Sequence, residues 1–178
     1  MNETFTINLG DTVHLSDPCY STEDSNSGGG VYFNTPCVSG EWRITLEKND
    51  RGYHAGFRGK SCDYSIDHTV DGFAFVDSGQ FGIFDSAIWE DKKEFDDPNN
   101  FYGKSCTLTL SEEGCGVIDG SGFVSRTAYG DGRYDLTMYF NKDNKLTQFE
   151  IVFVSDELED YEEDWEEDYD WDEDPVYI

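Results

Sequence analysis

Short runs of β-branched and aromatic residues recur along the first 154 positions, and clusters of Gly, Asn, Asp and Ser separate them. Apolar runs bounded by turn residues in this way predict β-strands. The predicted strands cover residues 5–9, 42–46, 72–76, 81–84, 107–110, 134–140 and 147–154. In the last run Phe149, Ile151 and Phe153 alternate with Glu150 and Val152, which predicts that one face of this strand is buried.

Two connections carry turn signals. Residues 76–81 place Ser-Gly between two apolar runs, and this predicts a tight hairpin. Residues 141–145 read Asn-Lys-Asp-Asn-Lys between two strands, which predicts a polar hairpin loop. Residues 21–30 and 96–100 are rich in small and acidic residues, and we expect loops there.

One short helix is predicted, over residues 86–95. Asp85 or Ser86 supplies its cap, and Ile88, Trp89 and Phe95 would face the sheet. The predicted fold is therefore mostly β, a single compact β-sandwich or partly open barrel with one short helix, followed by a C-terminal acidic tail.

Charge divides the chain into two parts. The sequence has 12 Lys and Arg against 39 Asp and Glu, which gives a net charge of −27. Residues 156–174 contain 14 of the acids and no base, and removing those 14 from 39 leaves 25 acids for the rest. We therefore expect a β-rich globular domain over 1–155 and an acidic aromatic tail over 156–178, disordered or loosely docked when free.

The excess of acidic over basic residues excludes several classes of binding partner. A surface this negative repels phosphate backbones and anionic lipid, so we expect neither direct nucleic-acid binding nor membrane binding. In a helix of about 1.5 Å per residue the tail would carry one charge per ~2 Å, close to the one per ~1.7 Å of duplex DNA. This density predicts a basic protein partner, of the kind that binds nucleic acid.

Aromatic residues interrupt the acids of the tail. Leu158, Tyr161, Trp165 and Tyr169 share one stripe of a helix, whereas Tyr161, Trp165, Tyr169 and Trp171 share one face of a strand. Both readings stay open, and a solvating extension is the simpler alternative. The predicted partner-binding residues are Leu158, Tyr161, Asp164, Trp165, Asp168, Tyr169 and Trp171.

The cysteines indicate a reducing compartment. Their number, five, is odd, no Cys-x-x-Cys pair occurs to suggest zinc, and residues 1–10 have neither a basic start nor an apolar stretch. We expect free thiols, no signal peptide, no metal or cofactor, and a cytoplasmic location, which would be the bacterial host cytoplasm if the protein is phage-encoded.

Gly130-Asp131-Gly132 is the most distinctive segment of the body, because its glycines allow a tight turn that exposes a carboxylate. A structural turn is the favoured reading. A ligand or cation site is the alternative, with Asp77, Asp85, Asp131, Asp135 and Arg133 as its candidates and with the aromatic rings of Trp42, Tyr129 and Tyr134 available for stacking.

Three segments together carry a resemblance. Asp17-Pro18-Cys19-Tyr20, the run Val76-Asp77-Ser78-Gly79-Gln80 leading into Gly82-Ile83-Phe84-Asp85, and Tyr129-Gly130-Asp131-Gly132 before Tyr134 occur in this order. The order resembles a group of small uncharacterised bacterial and phage β-proteins with DPCY, VDSGQxGIFD and YGDGxY motifs. The resemblance covers residues 5–154; it implies a β-fold and a prokaryotic or phage origin, and it implies no activity.

Signs of catalysis are few. His14 lies near Cys19, and His68 lies near Cys62, but sequence spacing alone does not make these catalytic pairs. The sequence contains no nucleophile elbow, zinc-protease motif or phosphate-binding loop. We therefore expect a non-enzymatic interaction or inhibitor protein, of a phage anti-defence or immunity type, that imitates the charge of nucleic acid. The alternative is a β-module that binds a nucleotide-like ligand or a cation, with hydrolysis as a further possibility.

Overall fold

Two antiparallel sheets form the body of the protein in the computed structural model, which describes residues 2–26 and 30–154. The strands are β1 (Asn2–Leu9), β2 (Thr12–Ser16), β3 (Tyr32–Pro36), β4 (Gly40–Lys48), β5 (His54–Ser61), β6 (His68–Val76), β7 (Gln80–Asp85), β8 (Cys115–Ile118), β9 (Gly122–Arg126), β10 (Gly132–Phe140) and β11 (Leu146–Val152). One helix, α1 (Phe101–Thr109), and two 3₁₀ turns (Thr22–Asn26 and Ser86–Ile88) complete the described part.

The larger sheet has the order β1-β4-β5-β11-β10-β6, and the smaller sheet has the order β3-β2-β7-β9-β8. Their inner faces share one apolar core. The Phe57 ring of the larger sheet contacts Phe81 and Phe123 of the smaller sheet, with ring centroids 6.1 and 5.1 Å apart. The predicted β-sandwich is confirmed, and so is the buried face of β11, because Phe149, Ile151 and Phe153 are all at most 2% exposed.

A second apolar cluster covers the other face of the smaller sheet. Phe84, Ile118 and Val124 pack there against Phe101 of α1 and against Trp89. Asn100 caps α1 by accepting the Tyr102 N–H at 2.9 Å. The smaller sheet is therefore the middle layer of the fold, with α1 on its outer side.

The predicted helix over 86–95 is wrong beyond its first turn. Asp85 accepts the Ala87 N–H as expected of a cap, but only Ser86–Ile88 is helical, in 3₁₀ form. The predicted strand over 107–110 is also wrong, because Thr107 and Thr109 belong to α1. Packing against the smaller sheet outweighs the β propensity of the threonines here.

The two predicted turns have different outcomes. The loop over 141–145 is a hairpin between β10 and β11, and the Asn141 side chain accepts the N–H groups of Asp143 and Lys145. The turn after Val76 is real, but it is no hairpin, because β6 lies in the larger sheet and β7 in the smaller sheet. This turn, which we call the crossover turn (residues 77–79), carries the chain from one sheet to the other.

Candidate functional site

The crossover turn is held by a buried carboxylate. Asp17 follows β2 and is fully buried, and its carboxylate accepts the backbone N–H groups of Asp77 and Ser78 at 2.9 and 2.7 Å. The Ser78 hydroxyl donates to the same carboxylate at 2.6 Å, and the Cys19 N–H donates at 2.8 Å. Four donors compensate the desolvated charge, so this aspartate joins two distant segments of the chain.

The glycine-rich segment joins the same cluster from the other side. The Thr127 N–H donates to the Gly79 carbonyl at 2.9 Å, and its hydroxyl donates to the Gly130 carbonyl at 2.6 Å. The Tyr134 hydroxyl donates to that Gly130 carbonyl at 2.8 Å. The three motif segments of the sequence, 17–20, 76–80 and 129–134, therefore meet at one end of the sandwich, which we call the motif junction.

A cleft of about 240 Å³ opens beside the motif junction. Tyr129, Asp131, Arg133 and Asp135 line it, and all four residues are exposed. The Arg133 guanidinium lies 3.9 Å from the centre of the Phe73 ring, which fixes its direction. Two carboxylates, one oriented cation and one ring can bind a small polar ligand by charge and stacking.

The structure brings together only part of the predicted ligand site. Asp131, Asp135 and Arg133 share the cleft, and Asp77 lies next to it, because its neighbour Val76 pairs with Gly132. Asp85 lies at the far end of β7, where its carboxylate accepts the Gly10 N–H at 2.6 Å.

The predicted stacking residues have different environments. Trp42 is fully buried in the core, so its proposed stacking role is wrong. Tyr134 is 7% exposed and directs its hydroxyl to the Gly130 carbonyl, while the Tyr129 side chain is 47% exposed. Tyr129 is thus the one of the three whose side chain is exposed at the surface.

The inner side of the motif junction gathers groups that sequence reasoning did not assign to a site. The buried Gln80 amide donates to the Ser78 hydroxyl at 3.2 Å and to the Cys106 sulfur at 3.5 Å, while its carbonyl oxygen has no partner among the described residues. Burial, together with neighbouring Cys106, raises the pKa of Tyr102 to about 12. The only sequence signal for this cluster is the pair of motifs DPCY and VDSGQ.

The chemistry of Cys19 is suppressed at this position. Burial first, and then the nearby Asp17 charge, raise the pKa of the Cys19 thiol far above its usual range. A thiol in this state is a poor nucleophile at neutral pH. Lys93 lies close by, over the Trp89 ring at 4.1 Å, and burial lowers its pKa to about 8.

The three histidines have partners other than cysteine. His14 accepts the Asn34 N–H at its Nδ1 atom, and burial lowers the His14 pKa to about 4. His68 is exposed and lies 3.2 Å from the Asp67 carboxylate, not beside Cys62. The structure thus supports neither of the two Cys-His pairs considered from the sequence.

His54 forms a buried pair with a serine. Its Nδ1 atom lies 2.7 Å from the Ser125 hydroxyl, which itself donates to the Arg126 carbonyl. The Ser125 hydroxyl thus lies within hydrogen-bond distance of both the His54 ring and the Arg126 carbonyl oxygen. Both residues are at most 2% exposed, so a substrate has no access to the pair.

Within residues 2–26 and 30–154, no group of three or more His, Cys, Asp or Glu side chains is arranged to hold a metal ion. The helices of that same part of the chain include none with the length and apolar character needed to cross a bilayer.

The described chain ends beside the cleft. Val152 and Phe153 form part of its lining, and the Val154 N–H donates to the Ala55 carbonyl at 3.1 Å. All predicted partner-binding residues, from Leu158 to Trp171, lie outside the described residues. Val154, the last residue that the structure describes, thus lies near the motif junction.

Comparison with known proteins adds no relative: no family model, curated protein or solved structure matches the chain.

Proposed function

We propose that the protein is a non-enzymatic, acidic interaction protein whose C-terminal segment binds a basic, nucleic-acid-binding protein by imitating the charge of nucleic acid. The observation that carries this proposal is the composition of residues 156–174, in which 14 of 19 positions are acidic and four of the other five are aromatic. Carboxylates supply the long-range attraction, and aromatic rings supply contact area at the interface.

The body supports this role as a rigid base. The acidic segment follows a strand that is paired on both sides, by β5 and by β10. The exposed carboxylates of Asp131 and Asp135 lie in the cleft that Val152 and Phe153 also line, shortly before the acidic segment in the sequence. They extend the negative field at its root, which favours encounter with a basic surface.

A cytoplasmic location is part of the same proposal. The five cysteines are all unpaired thiols, which suits a reducing compartment. The proposed bacterial or phage origin rests on the resemblance that the motif segments carry, and we propose on that basis a phage-encoded inhibitor of a host or defence protein.

The test is capture from bacterial lysate on three immobilised proteins. These are the full chain, a chain that ends at Ser155, and a full-length variant with Tyr161, Trp165, Tyr169 and Trp171 changed to Ser. We expect the full chain to retain a basic, nucleic-acid-binding protein at low salt, and duplex DNA to displace it. Affinity should fall at least tenfold as salt rises from 50 to 200 mM.

The two variants show whether binding requires the acidic segment and whether the aromatic residues of that segment contribute to it. The shortened chain should retain nothing, and the Ser variant, which keeps every acid, should bind at least tenfold more weakly. The proposal is overturned if the shortened chain captures the same protein, or if duplex DNA leaves the complex intact.

A second function is favoured by the cleft itself. Tyr129, Asp131, Arg133 and Asp135 line one opening, so we propose as the alternative that the body binds a nucleotide-like ligand or a cation there. A thermal-shift screen of the chain ending at Ser155, with nucleotides and divalent ions, tests it. Stabilisation that D131N abolishes supports a ligand module, and hydrolysis of the stabilising ligand would extend the alternative to an enzyme.

A further inference from the structure

Two cations face each other on the outer face of the larger sheet. Arg43 of β4 is directly opposite Lys60 of β5, and both residues are exposed. Their sequence neighbours Trp42, Ile44 and Gly59 are buried on the inner face. Like charges directly opposite in an antiparallel pair repel each other, so this arrangement has a local cost.

The row of side chains that contains the pair has no acid. Across the six strands the register aligns Thr6, Arg43, Lys60, Gln148, Tyr139 and Thr69. In a chain with 39 acids and 12 bases, an acid-free row with two adjacent cations is a local inversion of the overall charge.

Nearby groups leave both charges available. Arg58, the next cation on the same face, forms an ion pair with Glu47 at 3.0 Å. Arg43 and Lys60 form no ion pair with any residue that the structure describes. The Lys60 ammonium lies 3.7 Å from the centre of the Tyr64 ring, which holds it in place without neutralising it.

The acidic segment begins within reach of this pair. Val154 is bonded to Ala55 at the start of β5, and Lys60 lies five residues along that strand, about 17 Å away. Five or six extended residues span this distance. Residues 156–174 provide 14 acids and five apolar residues, so a stretch with several carboxylates can return to the row.

We infer that the acidic segment 156–174 docks in cis on the outer face of the larger sheet, with its carboxylates on Arg43 and Lys60. The interaction removes the repulsion within the cation pair and lowers the local charge density of the segment. This inference depends on the charge of the acidic segment and is independent of the proposed partner. If such a partner exists, it must displace Arg43 and Lys60 before it binds.

Zero-length carbodiimide coupling of the full chain tests the inference, because it joins a lysine amine only to a carboxylate in contact with it. Peptide mapping should find Lys60 coupled to residues 156–174 at least fivefold more often than Lys92, an exposed lysine beside α1. Half a molar salt should remove the preference. Equal coupling of the two lysines, or no coupling of Lys60 to the segment, would overturn the inference.

Two further measurements sharpen the test. In a mixture of isotope-labelled and unlabelled chains, the Lys60 products should be intramolecular. Mixed products would indicate docking onto a second copy and would refute the cis contact.

The second measurement uses a competing cation. The variant R43Q/K60Q should bind a decalysine peptide at least threefold more tightly than the unchanged protein does. The charge-matched control K92Q/K104Q should leave that affinity unchanged, and equal effects of the two double variants would also count against the inference.

Discussion

The carboxylate of Asp17 accepts the backbone N–H of Ser78 at 2.7 Å, although the two residues are 61 positions apart in the chain. Asp17 follows a strand of the smaller sheet, and Ser78 lies in the turn that leaves the larger sheet. The bond therefore fixes one of the connections through which the chain passes from one sheet to the other.

Changing this carboxylate to an amide should destabilise the fold. In D17N an amide NH₂ replaces one of two oxygens that each accept two hydrogen bonds, so at least one buried N–H or O–H loses its partner. We expect a loss of about 3 kcal/mol in urea unfolding. The control is D77N, whose carboxylate is exposed, and it should stay within about 0.5 kcal/mol of the unchanged protein. Equal losses in the two variants would contradict the role assigned to Asp17.

Acid should lower the free energy of unfolding through the two buried histidines, His14 and His54. Burial lowers the pKa of His14 and of His54 from 6.5 to about 4, so between pH 6.5 and pH 4 the unfolded chain binds more protons than the folded chain. The stabilisation is complete above pH 6.5 and is lost as the pH falls towards 4. Between pH 7 and 4.5 each histidine should contribute a loss on the order of 2 kcal/mol.

Variants isolate the histidine contribution from that of the carboxylates. H54N keeps a polar amide beside Ser125 but removes the titrating ring, and its urea stability should change less between pH 7 and 4.5 than that of the unchanged protein. T107A, which changes an exposed residue that does not titrate, should retain the original pH dependence. Parallel pH profiles for H54N and the unchanged protein would refute this account.

Gly103 in α1 should not tolerate alanine. A Cβ atom there would lie 2.0 Å from the Asp97 carbonyl oxygen and 2.8 Å from that of Glu94. Glycine to alanine in a helix ordinarily stabilises by about 1 kcal/mol, but overpacking against backbone reverses the sign. We expect G103A to lose roughly 1–3 kcal/mol in thermal or urea unfolding. T107A on the exposed side of the same helix serves as the control, and a stabilised G103A would disprove the contact.

One thiol of the five should react quickly in the native protein. Cys62 is exposed, whereas Cys37, Cys106 and Cys115 are buried and Cys19 is half-buried with a raised pKa. An aromatic disulfide reagent should therefore modify one thiol within minutes and the other four only on unfolding. C62S should abolish the fast phase. A fast phase that persists in C62S would show that a second thiol is open.

The β content and the final hairpin are predictable from the sequence because their signals are local. Asn141 makes its turn with bonds to residues two and four positions ahead, and β11 shows its buried face by alternation. The location of α1 is different. Its sequence FYGKSCTLT has low helix propensity, and its start depends on Glu90, whose carboxylate accepts the Phe101 N–H at 3.0 Å from eleven residues away.

The candidate site, too, is predictable from the sequence only where its residues are close in the chain. Asp131, Arg133 and Asp135 are close in sequence, and alternation along β10 is enough to place them together. The bond from Asp17 to the crossover turn spans some sixty residues, and no local pattern contains it. For the same reason the sequence predicted a hairpin at 76–81, since the Ser-Gly signal specifies a turn and not the sheet that the next strand enters.

The position of β11 has a consequence for biosynthesis. This strand, the last among residues 2–26 and 30–154 that the structure describes, lies between β5 and β10 in the interior of the larger sheet. Until the ribosome has released it, β1, β4 and β5 form one fragment and β6 and β10 another, each with an unpaired edge that can join foreign strands. The nascent polypeptide therefore stays aggregation-prone until β11 has been synthesised, and a premature stop before residue 146 should yield insoluble product and no smaller stable fold.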